Sequence, residues 1–575
     1  MNLPPLTGDT VAGVIARYLK AQGVTRVFAL CGGHIMPIWM RLDAEGIQIV
    51  DVRDERAAVY MAHAHGQLSG EPGVALVTAG PGTTNAMTGI ANAHVARAPV
   101  IVLSGIPPRQ QENRGALQDM VHIDFVKPIT RYARTVREAS LVLPELREAM
   151  SRAQGEGGDP GPVYLDFPTD TLRDTVPKVL QRDEYFRPFE RAALLPDPRR
   201  IDSAAELLLQ AKRPLVISGR GAMTAGPELR ALLDKTGAAY LDTGESRGLV
   251  PDSHASVVGA VRGTIMGDAD LIITVGRKLD FQLAYGSPAV FGEAKLIRLA
   301  DSPAELRDNR RADVELYASP AESLRAIVEK IGDRKGAIDR EWIGKHKQNH
   351  EARVEKFNAG LRAKQTGSDG RIHPNWLIAE LREQMPKDSI VVADGGDFLA
   401  FARVGLPAQT YLDPGPLGCI GVGTPFGIAA SLARPDQTTI VATGDGAFGF
   451  NAMEIDTAVR HNAPLLVVVA NNGAWQIEVR DQEETHGRVI GTKLQYADHA
   501  AMARAFGMHA ERVERPEDLA GAISRAMANR PALLDVVVTP DAASSDSKSG
   551  LAWVPDLQPL QAWDDAERKW RASEE

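Results

Sequence analysis

Short apolar runs alternate with longer stretches of helical spacing almost from one end of the chain to the other. The runs "VFAL" (27–30), "IQIV" (47–50), "VALVT" (74–78) and "VIVLS" (100–104) are each followed by Gly, Pro or Asp and then by a helical pattern. Uninterrupted apolar runs suit strands buried on both faces, which is the signature of parallel sheets joined by crossover helices. This first block closes near "GPVYLDFP" (161–168), and a polar, Arg- and Pro-rich stretch at 181–200 reads as a surface linker. A second block carries "RPLVIS" (213–218), "DLIITV" (270–275) and "LIRLA" (296–300), then runs into a charged helical region at 323–365. The third starts at "HPNWLIAELRE" (373–383) and carries "SIVVA" (389–393), "TTIVA" (438–442), "PLLVVVA" (464–470) and "LLDVVV" (533–538). The predicted fold class is therefore α/β, in three similar layers, with no repeat at a solenoid period.

After Val538 the texture changes to Ser, Asp and Pro, yet Trp553, Trp563 and Trp570 occur there. Exposed tryptophans are a liability, so this tail is expected to dock on the body. A length of 575 residues requires more than one core. With 44% hydrophobic and 24% charged residues and a net charge of −9, nucleic acid and anionic membranes are poor partners. Cys31 and Cys419 belong to no ligand spacing, and no apolar run approaches the length needed to span a bilayer. A cytoplasmic protein is expected.

The candidate chemistry starts at "TGDGAFGFNAME" (443–454), directly after an apolar run. Asp445 would sit at the C-terminal edge of a strand, where open α/β sheets bind ligands, and Gly444 and Gly446 would let the backbone approach one. A helix beginning soon after would offer free N–H groups to an anion. The next strand ends in "NNG", which places Asn472 about one strand spacing from Asp445. A carboxylate, an amide oxygen and a backbone carbonyl form an oxygen set suited to a hard divalent cation. Singly, Gly-Asp-Gly is more often a turn and Asn-Asn a helix cap.

Together, Gly-Asp-Gly after one strand and Asn-Asn after the next resemble the thiamine diphosphate motif of the acetolactate synthase, pyruvate decarboxylase and oxalyl-CoA decarboxylase superfamily. The resemblance covers roughly residues 7–540. It implies three doubly wound parallel-sheet domains: pyrimidine-binding (1–180), central and nucleotide-binding-like (190–350) and diphosphate-binding (366–540), with a lid segment at 541–575. It implies Mg²⁺ on Asp445, Asn472 and the Ala474 carbonyl, with Gly444, Gly446 and Ala447 lining the cofactor. "VRDERAAVYMAHA" (52–64) looks like the segment whose glutamate, here Glu55, shares a proton with the cofactor's aminopyrimidine. "PLGCIGVGTPFGIAA" (416–430) looks like the segment that bends the cofactor, with Ile420 under the rings and the Gly418 carbonyl accepting from the amino group.

Substrate signals are thinner. "GALQDMVHIDFVKPITRYA" (115–133) resembles the family's Phe-Gln-Glu loop and offers Gln118, although Leu117 and Asp119 replace its neighbours. Gly33 and His34 in "LCGGHIMPIW" (30–39) take the place of a loop near the thiazolium, where His34 is a candidate acid or base. The stretch 262–292 looks closest to the segment of 2-hydroxyacyl-CoA lyases and oxalyl-CoA decarboxylases, and 475–494 resembles bacterial 2-hydroxyacyl-CoA lyases and, more loosely, benzaldehyde lyase. This implies ADP in the central domain, on Arg277 and Asp301, and a proton-transferring Glu478. Relatives that process CoA close a tail over the site, for which 544–553 is the candidate, with Lys548 meeting a CoA phosphate and Trp553 and Trp563 as anchors. The implied activity is reversible cleavage of a 2-hydroxyacyl-CoA to formyl-CoA and a ketone or aldehyde. Its rivals are an acetolactate synthase-like carboligase holding FAD, oxalyl-CoA decarboxylase, and a silent cofactor-binding relative. Family members share each cofactor between subunits, so a homodimer is the implied minimum and a tetramer is expected.

Overall fold

The computed structural model describes residues 6–544 and 555–574. Three parallel sheets follow one another along the chain. The first, in the order β2-β1-β3-β4-β6-β5, is built from Arg26–Ala29 (β1), Gln48–Asp51 (β2), Gly73–Val77 (β3), Val100–Ile106 (β4), Tyr132–Thr135 (β5) and Pro162–Pro168 (β6). The second, in the order β11-β10-β9-β7-β8, comprises Pro214–Ser218 (β7), Ala239–Leu241 (β8), Leu271–Val275 (β9), Lys295–Ala300 (β10) and Val314–Tyr317 (β11). The third, in the order β13-β12-β14-β15-β17-β16, comprises Ile390–Asp394 (β12), Thr410–Leu412 (β13), Thr439–Gly444 (β14), Leu465–Asn471 (β15), His509–Val513 (β16) and Ala532–Val537 (β17). Sheets one and three thus share one strand order. Of the described helices, none is long and apolar enough to cross a membrane.

Every apolar run read as a strand is one. The strands absent from that reading, β5, β8, β11, β13 and β16, all lie at sheet edges, where half the surface is uncovered and a short or polar strand suffices. The expected boundary near residue 350 falls inside one helix, Arg340–Leu361. Its Trp342 enters a central-domain core, while Phe357 and Leu361 pack against the third domain. The linker crosses the surface as expected, with Arg17 stacked over Phe186 at 5.0 Å and Gln22 exchanging hydrogen bonds with the Phe186 carbonyl and the Phe189 N–H.

The first and third domains pack through the helices Glu55–Ser69 and Gly423–Ala433, and one apolar cluster runs through both. Tyr60 and His63 approach the Phe426 ring edge-on, at 6.2 and 5.0 Å between centroids. Of the tail, the described part beyond Ser544 is residues 555–574. Helix Gln561–Glu574 docks on the central domain, where Trp563 packs beside an apolar cluster and the Ser287 hydroxyl donates to Glu567. The residues this helix buries are Asp564 and Glu567, each held by hydrogen bonds, with Trp563 partly covered beside them. Lys548 and Trp553, and the candidate lid around them, lie outside the described residues.

Candidate active site

The third domain builds one half of a site from loops at the carboxyl edge of its sheet. Gly444 pairs in register with Ala470, so Asp445 and Asn472 extend from the tips of adjacent strands. The helix Asp445–Phe450 starts on the aspartate itself, earlier than the sequence suggests. Asp445 is 5% exposed, its Oδ2 has no hydrogen-bond partner, and burial pushes its carboxyl up to about 6. A buried carboxylate with an orphaned oxygen is incomplete without a cation or a proton. Asn472 Oδ1 accepts from the Ala474 N–H at 3.1 Å, which draws two of the three expected ligands into one tight turn beside the strand end that carries Asp445. The donor set therefore fits a hard divalent ion.

The two glycines of the motif have different reasons. Nothing lies within 4 Å of a Cβ added at Gly444, which leaves room for a ligand, whereas one at Gly446 would stand 2.5 Å from the Trp475 ring. Ala447 is buried beside Gly395. The glycine segment 418–423 crosses the same edge. Gly418 adopts φ +71 beside open space, and Ile420 is only half-buried and belongs to no apolar cluster. Glu478, in the first turn of helix Gln476–His486, is exposed and makes no hydrogen bond or ion pair among the described residues. Its expected proton-transfer role has no support from its contacts.

The first domain builds the other half. Glu55 opens the helix Glu55–Ser69, is 7% exposed, and accepts from Asn85 Nδ2 at 3.1 Å. Its Oε1 lies 3.6 Å from where a Cβ on Gly82 would stand. Gln118, at φ +63, packs on Gly80, and its side chain lies beside His34. Burial lowers the His34 imidazole, so it is neutral near pH 7. Glu55, Gln118 and His34 are thus gathered around the turn at 78–82. No hydrogen bond or ion pair among the described residues joins Glu55 to Asp445 or Asn472.

Several polar residues of the site carry no sequence motif. The Gly80 N–H donates to His122 Nε2 at 2.8 Å, so His122 Nδ1 holds the ring proton and faces Asp166 Oδ2 at 3.2 Å and the Tyr164 oxygen at 3.1 Å. This buried chain fixes the turn on which Gln118 rests. Glu454 Oε1 accepts from the Arg53 and Asp54 N–H groups at 3.0 and 3.1 Å, and Oε2 accepts from the Thr457 hydroxyl at 2.6 Å. It holds the backbone just ahead of Glu55 from the other domain, and burial raises its carboxyl to about 7. Asp394 and Asn451 grip the glycine segment. The repeated pattern of a strand ending in Asp beside Gly, "VVADGG" like "ATGDG", was the one signal available for Asp394.

The two residues expected to hold ADP already have protein partners. Arg277 forms a bidentate pair with Asp280 at 2.7 and 2.8 Å and donates to Gln282, while Asp301 is paired with Arg191 of the linker at 2.9 Å. These side chains do not form a waiting nucleotide site. Arg277 instead lines a cavity of about 60 Å³ whose wall includes Asp413, Gly415 and Pro416, just ahead of Gly418. Through Thr243 and Gly244 this cavity adjoins a larger one of about 620 Å³. Five arginines, Arg247, Arg262, Arg353, Arg382 and Arg403, line the larger chamber against two carboxylates, Asp242 and Asp252. Arg247, Arg262 and Arg353 donate to backbone carbonyls and Arg382 to the Asn358 amide oxygen. Burial, with Arg277 adding to it, lowers Arg262 to about 10, and burial also raises Asp242; the excess of guanidiniums over carboxylates gives the chamber a net positive lining.

Three family models match the chain. The thiamine pyrophosphate enzyme N-terminal TPP binding domain covers residues 9–127, the central domain 201–327 and the C-terminal TPP binding domain 395–536. The acetolactate synthase large subunit IlvG of Mycobacterium tuberculosis is 34% identical over 548 residues, which span 92% of this chain and 96% of the relative. The 2-hydroxyacyl-CoA lyase 2 of Homo sapiens is 31% identical over 547 residues, 87% of this chain and 84% of the relative. That of Caenorhabditis elegans is 31% identical over 545 residues, with the same coverage.

Proposed function

This chain belongs to the thiamine pyrophosphate enzymes, and on that premise we propose that it is a Mg²⁺-dependent carbon–carbon lyase acting on a 2-hydroxyacyl-CoA. The observation that carries the substrate class is the arginine chamber. Five guanidiniums against two carboxylates suit the phosphorylated nucleotide end of CoA. The narrow cavity along Asp413–Pro416 leads from it toward Gly418, so the thioester at the far end of the pantetheine arm would arrive where the glycine segment meets the cofactor. Lyases of this name are among the relatives.

When bound, the cofactor supplies an electron sink at the carbon that forms the new bond. The chain supplies the rest. Asp445, Asn472 and the Ala474 carbonyl would hold Mg²⁺ and through it the diphosphate. Glu55 would hold and exchange a proton at the aminopyrimidine N1′, and neutral His34 with Gln118 would orient the substrate hydroxyl and accept its proton. In the net reaction the bond between the thioester carbonyl and the carbinol carbon breaks. The hydroxyl proton is lost as the ketone or aldehyde forms, and the thioester carbon takes a proton to leave as formyl-CoA. Members of this family share each cofactor between subunits, so the reading includes a homodimer in which each partner completes the other's site.

Similarity to acetolactate synthases favours a second reading, carboligation of free 2-oxo acids such as pyruvate. Incubation with thiamine diphosphate, Mg²⁺ and 2-hydroxyisobutyryl-CoA should release acetone and formyl-CoA. Turnover of pyruvate with no product from any 2-hydroxyacyl-CoA would replace the lyase by the carboligase.

A further inference from the structure

Strand β12 ends on Asp394, a carboxylate that the chemistry above does not use. It is 1% exposed, and both oxygens face backbone donors. Oδ1 accepts from the N–H groups of Gly395 at 2.7 Å and Gly421 at 3.1 Å, and Oδ2 from those of Gly421 at 3.0 Å and Gly423 at 2.8 Å. From another direction Asn451 Nδ2 donates to the Gly421 carbonyl at 2.6 Å. Asn451 follows the helix Asp445–Phe450, so it belongs to the turn that carries the cation ligand. Gly421 itself has φ +90, and a Cβ there would stand 2.4 Å from the Phe450 Cβ. One glycine is thus held at its N–H by the tip of β12, at its carbonyl by the turn after β14, and against Phe450 at its α-carbon.

We propose that Asp394 and Asn451 are positioning residues that grip Gly421 and so set where Ile420 and the Gly418 carbonyl stand relative to Asp445. The need for a grip is local. Residues 416–418 are exposed, Gly418 and Gly421 both adopt left-handed conformations, and glycine loses more freedom on being fixed than any other residue. Ile420 has no apolar cluster to hold it, so its position is inherited from its neighbour. Two charge-assisted hydrogen-bond sites on one rigid strand end give that neighbour a single place. The same peptide connects the bending segment to the cation turn, so a shift in either reaches the other through Gly421. The inference rests on reading 416–430 as the segment that meets the cofactor.

The test uses the full-length protein and two variants that act on opposite sides of Gly421. In Asp394→Asn an amide N–H₂ would face the glycine N–H groups, donor against donor; Asn451→Ala removes one hydrogen bond without adding a clash. The first readout involves no cofactor. Backbone amide exchange followed by mass spectrometry should show the peptide covering 416–424 exchanging at least tenfold faster in both variants, with peptides from β14 and β15 unchanged. The second is the dissociation constant for thiamine diphosphate with Mg²⁺, read from Trp475 fluorescence, which should rise at least tenfold in both. Unchanged exchange at 416–424 in Asn451→Ala overturns the grip. Faster exchange with an unchanged dissociation constant overturns the positioning role. A wild-type protein that binds the cofactor while its 416–424 amides gain no protection overturns instead the reading of this segment on which the inference rests.

Discussion

Replacing Glu454 by Gln should make the protein more stable in neutral and alkaline solution and leave it nearly unchanged in acid. The shorter-lived charge disappears, while the new amide keeps an oxygen for the Arg53 and Asp54 N–H groups and can donate to the Thr457 oxygen. Burial raises the Glu454 carboxyl from 4.5 to about 7. At about 1.4 kcal/mol per pKa unit, this shift corresponds to ~3 kcal/mol acting against the charged form. A raised pKa means that the folded state binds the proton more tightly than the unfolded state. The group's stabilising contribution is therefore complete below pH 4.5, shrinks as pH rises to about 7, and is absent above that, where the wild type carries the full desolvation cost. The variant has no such window. Its advantage over wild type should grow from near zero at pH 4.5 to ~3 kcal/mol at pH 8. Thermal unfolding of the cofactor-free proteins, run in parallel at each half pH unit, cancels the titrations they share. A change of 1 kcal/mol moves the midpoint of a 150–250-residue domain by about 2–4 °C, so the gap should widen by several degrees. A gap that stays constant, or closes as pH rises, would refute the argument. Glu454→Ala is the control, since it strands two backbone donors and should be less stable than Glu454→Gln at every pH, by roughly 1–3 kcal/mol per donor left unpaired.

Three further outcomes follow from the site. Glu55→Gln should lower turnover by roughly 10²-fold or more while cofactor affinity, measured by fluorescence titration, changes only a few-fold, because the side chain moves a proton and does not hold the diphosphate. Asp445→Asn should abolish the Mg²⁺ dependence of cofactor binding in calorimetry; retained Mg²⁺ dependence would remove Asp445 from the ligand set. Arg353→Ala should raise KM for a CoA thioester about tenfold, one lost charge-assisted contact, and leave that for the same acyl group on pantetheine unchanged. Equal effects on both would show that the chamber does not hold the nucleotide.

The buried strands and the helices between them were legible because each satisfies a periodicity that stands in the chain itself. Asp445 and Asn472 were legible because their partners lie at fixed offsets from two strand ends. The edge strands were not, since a strand such as Thr410–Leu412 needs little apolar surface. Asp394, Asn451, Glu454 and His122 were hidden for another reason. Each satisfies backbone groups that are 27 or more residues away, except that Asp394 also bonds its own neighbour, and a backbone N–H leaves no trace in a sequence. The tail's tryptophans announce docking without saying where; Trp563 packs against the central-domain cluster that contains Trp342, a surface that only the folded chain creates. Arg277 and Asp301 were read from their chemistry, but neighbours within the fold, Asp280 and Arg191, had already claimed them.

A site completed between two copies of the chain, as proposed, would have a genetic consequence. In a two-fold dimer whose sites each draw Glu55 from one chain and Asp445 from the other, a chain mutated at either position ruins both sites of its own homodimer. Expressed together, Glu55→Gln and Asp445→Asn chains would also form mixed pairs, in which one site inherits both lesions and the other inherits neither. With random pairing about half of the dimers are mixed, so about a quarter of all sites are intact. Two inactive alleles would then complement each other in one cell, as lesions confined to a single-chain site never could.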